Sequence, residues 1–411
     1  MQADRKHKIL ILSGDLGEGH KQAANAILEA SQLARPDTEV VVIDFLQLIY
    51  PSFHMAGTRL YIQGLKTFPS VYGYLYTKTR KPNSLSFLFK KLRFYGFGPL
   101  IKLLGEIQPT VVVSTFPIAA AAMSRLKANG LSSLPTITVI TDHTDHNYWV
   151  HPFTDRYIVG SNRVRAGLLN LHIPDKQISV TGIPVRSPFD QSYDRLQLCE
   201  KHGLDPNIPI IMVMGGGYGM MGDGLSKLLL SDKLLKRKQF IIVCGHNAKL
   251  KEKLTEELGS SKHKIFITGY VHHVHEFMAL SDLIITKPGG VTISEAITLE
   301  LPMLLNPSHP GQEQDNADFL VESGAALQVR HEEDLSVKLN YLFDHPHHLL
   351  SMKTRAKQIQ NKQAAFKALD SILQTKSILH PELRIRIKQS KLPGKLAFLK
   401  MIKRKNRIGV R

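Results

Sequence analysis

The chain has only two cysteines in 411 residues, Cys199 and Cys244. They are far apart and neither has a CxxC partner, so neither a disulfide framework nor a thiolate zinc site is supported. No apolar run is long enough to cross a bilayer, and Met1–Lys8 lead straight into a strand without a signal-peptide core. The expected location is therefore the cytosol. Acidic residues are scarce: 35 Asp and Glu stand against 53 Lys and Arg, a formal net charge of +18. Such an excess asks for an anionic partner, a nucleic acid or an acidic lipid surface. Charged residues make up 21% and hydrophobic residues 43%, a globular balance, and the length is sufficient for two domains with a core each.

What is present centres on Ser281 to Gly324. An apolar run, Leu283–Ile285, meets Lys287-Pro288-Gly289-Gly290, and Val291 to Leu299 then carry apolar residues at helical spacing. Strand, glycine turn and helix in that order predict a phosphate site, because glycines allow close backbone approach and a helix start presents free N–H groups and the positive dipole end. Thr292 and Ser294 add hydroxyl donors, and Glu295 is an acceptor suited to the two hydroxyls of a ribose. Leu301 to Leu305 read as the next strand. Pro307 to Asn316 leave it as a loop whose Gln312, Glu313, Gln314 and Asn316 match sugar hydroxyls. Phosphate, ribose and sugar in sequence spell a nucleotide-sugar.

The first half opens with a strand, Lys8 to Ser13, a loop through Gly17-Glu18-Gly19-His20, and an alanine-rich helix over Ala23–Leu33. A histidine at a helix N-terminus is held neutral by the dipole and can accept a proton near pH 7. Thr110–Ser114 and Thr136–Thr141 read as buried strands, and Asp142 follows the second at the end where open α/β sheets bind ligands. His143, Asp145 and His146 beside it form only a weak metal pattern, as do His272, His273 and His275. Ile210–Met214 runs into Gly215-Gly216-Gly217, Phe240–Cys244 into Gly245-His246-Asn247, and Lys264–Thr268 into Gly269-Tyr270-Val271. Backbone groups at Tyr270 and Val271 are suited to the edge of a base.

Two segments depart from this pattern. Between about residues 51 and 104 tyrosines and phenylalanines interleave with lysines and arginines, and almost no acid is present. This mixture suits a membrane interface, single-stranded nucleic acid, or a helical excursion with core aromatics. Leu85, Leu88, Phe89 and Leu92 share one helical face beside Lys90, Lys91 and Arg93, which favours a helix lying on a surface. After Glu382 no acid occurs, and Lys403, Arg404 and Lys405 belong to a basic stretch mixed with Leu396, Phe398 and Ile402. The tail reads as a helix on anionic lipid, or as a solvated disordered end. No nucleic-acid-binding module accompanies it, so nucleic acid is not expected as a partner.

The ordered set Gly17–His20, Ile140-Thr141-Asp142, Thr181–Val185, Met214–Gly217, Val243–Asn247, Gly269–Val271, Thr286–Gly290 and Pro310–Asn316 resembles that of the diacylglycerol glycosyltransferases over about Lys8 to Leu373. These are the bacterial processive diacylglycerol beta-glucosyltransferases and the plant monogalactosyldiacylglycerol synthases. The resemblance implies an α/β GT-B fold, two Rossmann-like doubly wound domains facing a cleft. Residues 1–186 would form the acceptor domain, 187–375 the UDP-sugar domain and 376–411 the basic tail. It implies inverting transfer of a hexose, glucose or galactose, from UDP-sugar to diacylglycerol, possible repeated addition, and no required metal or other cofactor.

The same match implies a base, His20 with Asp142 as the alternative or as its orienting partner. It assigns the diphosphate to Gly289, Gly290 and Thr292 beside Lys287, the ribose to Glu295, and the hexose to Gln312 and Glu313. Gly17, Gly19, Gly216, Gly217, His246, Asn247, Tyr270, Val271 and Asn316 join the donor-binding set. Glu18 would either restrain His20 or face solvent. The expected setting is peripheral, on the cytoplasmic face of the membrane, with anionic lipids as partners. A polyprenyl-linked acceptor, or a membrane-surface UDP-sugar sensor, is the alternative, and the oligomeric state stays open.

Overall fold

The computed structural model describes residues 7–15, 18–51, 69–81, 97–215, 224–308 and 311–378. Gly17, Gly216 and Gly217 lie outside the described residues, as do Leu85, Leu88, Phe89, Lys90, Lys91, Leu92 and Arg93 and the tail with Lys403, Arg404 and Lys405.

Two parallel six-stranded sheets form the scaffold. The first contains β1 (Lys8–Ser13), β2 (Glu39–Asp44), β3 (Val111–Ser114), β4 (Thr136–Val139), β5 (Arg156–Val159) and β6 (Ile178–Val180), in the order β2-β1-β3-β4-β5-β6. The second contains β7 (Ile210–Met214), β8 (Gln239–Val243), β9 (Lys264–Thr268), β10 (Leu283–Thr286), β11 (Met303–Leu305) and β12 (Ala326–Gln328), in the order β12-β11-β10-β7-β8-β9. Runs such as Val111–Val113 and Leu283–Ile285 are apolar throughout because helices cover both faces of a parallel sheet.

The two faces of β1 show how the core is divided. Ile9 and Ile11 pack with Ala24 and Ile27 of the helix Glu18–Ala34, whereas Leu10 and Leu12 pack with Leu100, Ala119 and Met123 of the helices Phe97–Ile107 and Pro117–Ala128. This is the period-two alternation of a strand buried on both sides.

The C-terminal helix Ala364–Leu373, grouped with the second domain from sequence, packs instead on the first sheet. Ala365, Ala368, Leu369 and Ile372, one helical stripe, lie against Ile9, Ile11 and Val113. Burying a leucine or isoleucine there contributes roughly 1.5–3 kcal/mol, enough to bring the chain back across the domain boundary. Phe189, Leu198 and Cys199, in the stretch between β6 and β7, belong to the second core.

Strand order reverses between β1 and β3 and between β7 and β10. Crevices open at the carboxyl ends of the strands at such points. The turns after β1, β7 and β10 are those the sequence marks with glycines and His20.

Candidate active site

Two helix starts differ from the sequence expectation, and both differences place functional groups. The first helix begins at Glu18 rather than Ala23, so Glu18, Gly19 and His20 form its first turn, where the Glu18 carboxylate favours the dipole. The loop expected to run to Asn316 ends at Gly311, whose φ of 139° needs glycine, and the helix Gln312–Ser323 follows. Glu313 and Asp315 stabilise that first turn in the same way. Gln312 and Glu313 therefore sit at a helix N-terminus, half-buried, instead of on an open loop.

His20 is fixed from several sides. Its Nδ1 lies 2.9 Å from Thr141 Oγ1, and Thr115 provides a backbone hydrogen bond. Phe116 and Trp149 meet the ring edge-on, with centroids 5.3 and 6.0 Å away. These surroundings disfavour the imidazolium and lower its pKa to about 4, against the weaker opposing effect of the Thr115 bond. The imidazole is thus neutral at pH 7. Glu18 turns to Gln22, at 3.5 Å, and to the interdomain cleft.

Asp142 lies at the domain contact. Its Oδ1 accepts a 2.9 Å hydrogen bond from Asn316 Nδ2, which also donates to Pro288 O at 3.0 Å. Asn316 Oδ1 accepts from His143 N at 2.6 Å. Asn316 is fully buried, and its amide, expected to meet a sugar, joins the two domains instead. Burial raises the Asp142 pKa to about 6, partly offset by the Asn316 bond. Gly290 is pressed against the same loop: an added Cβ would lie 2.0 Å from Thr141 O and 2.9 Å from Asp142 Oδ1. Gly19 faces Val291 at ordinary packing distance, with an added Cβ 3.7 Å from its side chain.

The cleft between the domains encloses about 570 Å³ including its solvent-open mouth. Glu295, Thr292, Tyr270 and Val271 line it from the second domain, Glu18 and Gln22 from the first, and Arg186 from the crossing. Glu295 is buried, which raises its pKa to about 7, with Arg186 acting in the opposite sense. Tyr270 stacks on the exposed His246 at 4.4 Å, a flat platform beside the cleft. Asn247 caps the helix Ala248–Glu257 by accepting from Leu250 N at 3.0 Å. Lys287 reaches from the Pro288–Gly290 turn to Glu313, Nζ to Oε1 2.6 Å, so the phosphate and hexose candidates form one charge pair.

Arg186 carries no motif of its own, and its place in the cleft emerges only when the stretch after β6 is packed against β7 and β8. The described residues contain no group of three or more His, Cys, Asp or Glu placed to hold a metal ion. No described helix is long and apolar enough to cross a membrane.

Comparisons with known proteins agree with this architecture. Residues 20–185 match the family described as monogalactosyldiacylglycerol (MGDG) synthase, and residues 210–370 match the glycosyltransferase family 28 C-terminal domain. The processive diacylglycerol beta-glucosyltransferase of Staphylococcus carnosus (strain TM300) is 31% identical over 370 residues, 89% of this chain and 92% of the relative. Acinetobacter baumannii MurG shares the fold at a TM-score of 0.56 and 16% identity, with 90% of this chain and all of that chain covered. The UDP-GlcNAc 2-epimerase from Neisseria meningitidis, solved bound to UDP-GlcNAc, does so at 0.57 and 17%, with the same coverage.

Proposed function

The chain belongs to the diacylglycerol glycosyltransferase family, and we propose from that membership that it transfers a hexose, glucose, from UDP-sugar to diacylglycerol with inversion. One observation carries the reading. Thr141 holds the neutral His20 by its hydroxyl and packs its carbonyl against Gly290, so the proton acceptor and the donor turn meet at one residue.

In the proposed step His20 takes the proton of the glycerol hydroxyl as its oxygen attacks the anomeric carbon from the face opposite UDP. An imidazole held unprotonated is available for this throughout the neutral range. Asp142, bound to Asn316, orients the loop that contains Thr141 rather than acting as base. Negative charge grows on the leaving diphosphate, which the helix start at Gly289, Gly290 and Thr292, together with Lys287 and Arg186, would stabilise without a metal ion. Glu295 would accept from the ribose hydroxyls, Tyr270 and Val271 would flank the base, and Gln312 and Glu313 would orient the hexose.

The reading extends to a peripheral enzyme at the cytoplasmic membrane face, drawn there by anionic lipid. Its test is transfer from radiolabelled UDP-glucose and, separately, UDP-galactose to diacylglycerol in vesicles containing anionic lipid. Wild type should label glycolipid from UDP-glucose, and His20→Ala should not. No product from either donor, with UDP binding and vesicle association intact, would sink the proposal.

A further inference from the structure

The helix Gln312–Ser323, which starts with the hexose candidates, docks on the first domain along a single stripe. Asp315, Asn316, Phe319 and Glu322 recur at the spacing that puts residues on one helical face. Phe319 stacks on His143 with centroids 4.0 Å apart, and Glu322 accepts from Arg163 at 2.8 Å. The densest contact is Asp315, which is 7% exposed. Its Oδ2 accepts from Tyr76 Oη at 2.8 Å and from Thr144 Oγ1 at 2.6 Å, and its Oδ1 accepts from Arg80 Nη1 at 2.7 Å. The other terminal nitrogen of Arg80 donates to Asp145 Oδ1, also at 2.7 Å.

Three parts of the chain therefore converge on Asp315: the segment 69–81 of the basic and aromatic region, the loop that follows β4, and the donor-side helix. We propose that Asp315 and Arg80 are a positioning pair that holds the two domains closed and sets the acceptor-side loop in register with the donor helix. Arg80 is suited to this because its planar fork reaches two carboxylates at once, which an ammonium does not. Asp315 in turn is buried, so loss of Arg80 leaves a carboxylate short of its cation at the interface. Neither residue reaches the reacting atoms. They act through Asn316, next in the helix, through Glu313, two residues before Asp315, and through Thr144, next but one to Asp142. The catalytic half of this inference rests on the transfer reading above, whereas the closure half does not.

The test uses the full chain with spin labels at Leu33→Cys and Val337→Cys, exposed positions on the two domains at 63% and 67%, the native cysteines both being buried. Wild type should give one narrow label-to-label distance, and Asp315→Asn and Arg80→Ala should each broaden and lengthen it. Tyr76→Phe, which deletes one hydroxyl and little volume, should shift it less in the same direction and guards against misfolding of the other variants. In the vesicle assay both larger losses should lower kcat on the order of 100-fold while UDP affinity holds within about twofold. The double variant should lose clearly less than the sum of the two single losses, since both remove the Arg80–Asp315 contact although each residue also has partners of its own. Unchanged distances in all variants would overturn the closure, and altered distances with full kcat, or additive losses, would overturn the positioning role. A wild type inactive with both donors would refute the transfer reading, and the distance measurement would still decide the closure.

Discussion

Gly290 and Thr141 stand so close that a methyl group on the glycine would meet the threonine carbonyl oxygen at 2.0 Å. Both partners are backbone or nearly so, and neither can turn aside as a flexible side chain would. Gly290→Ala should therefore push the donor turn away from the acceptor loop while leaving each sheet intact. The expected result is a transfer rate lower by about 100-fold, with a melting temperature close to wild type. A rate within a few-fold of wild type would mean that the domains need not meet at this point during turnover.

His20→Ala and His20→Gln should both lose transfer by about 100- to 10,000-fold, the range supplied by a positioned general base. UDP affinity should be unaffected, because His20 is held by Thr141 and Thr115 of the first domain. With a folded-state pKa of about 4 set by burial, the wild-type rate should not fall through His20 protonation until the pH drops well below 6. The same shift makes stability depend on pH. The unfolded chain binds a proton near 6.5 that the folded ring refuses, so this contribution is present above that value and is lost as pH falls toward 4. Thermal melts of wild type and His20→Gln from pH 4 to 7 should converge at the acid end. A wild-type rate that falls with a midpoint near 6 in both kcat and kcat/KM, unchanged in Asp142→Asn, would contradict this account of the base.

Much of this site is readable before folding, for reasons that are physical. Val111–Val113 and Leu283–Ile285 announce buried parallel strands because nothing polar interrupts them, and glycines mark the turn that follows the second. Helix starts are less legible. Glu18 and Gln312 are polar, and their membership in a helix depends on the dipole and on the neighbouring domain rather than on an apolar period. Asn316 shows the limit most clearly. Its side chain is chemically suited to a sugar, yet Asp142 and His143 claim it, and that contact exists only once the two domains are in place. The return of Ala364–Leu373 to the first sheet is likewise encoded in an apolar stripe that does not name its partner.

Glu295 gives a separate test of the ribose assignment. Burial raises its pKa to about 7, so the folded protein binds a proton that the unfolded chain has released above about 4.5. Its contribution to stability is therefore full below that value and is lost as pH rises through 7. Glu295→Gln removes the titration. The variant should gain melting temperature relative to wild type between pH 5 and pH 8, while its UDP affinity falls by about tenfold for one or two lost charge-assisted hydrogen bonds. Equal melting temperatures at both pH values would mean that the carboxyl is not shielded from water.

The start of the C-terminal tail is tied down by the most deeply buried ion pair described. Lys127 Nζ lies 2.5 Å from Asp155 Oδ2, and neither side chain has any exposure. Asp155 is fully engaged: Oδ2 also accepts from Thr136 N at 2.7 Å, and Oδ1 accepts from Ile378 N at 2.6 Å. Lys127 adds a bond to Ser377 Oγ. Burial lowers the Lys127 pKa, and the Asp155 hydrogen bond and charge oppose that shift. Lys127→Met keeps most of the volume and strands the carboxylate, which should cost about 3–5 kcal/mol. Lys127→Met with Asp155→Leu should recover part of that loss, because no uncompensated charge remains, though Thr136 N and Ile378 N stay without their acceptor. Urea unfolding of the two variants checks the sign. Proteolysis after residue 378 should then accelerate in the double variant, which removes the Asp155 acceptor of Ile378 N, and unchanged cleavage there would show that the tail is held elsewhere.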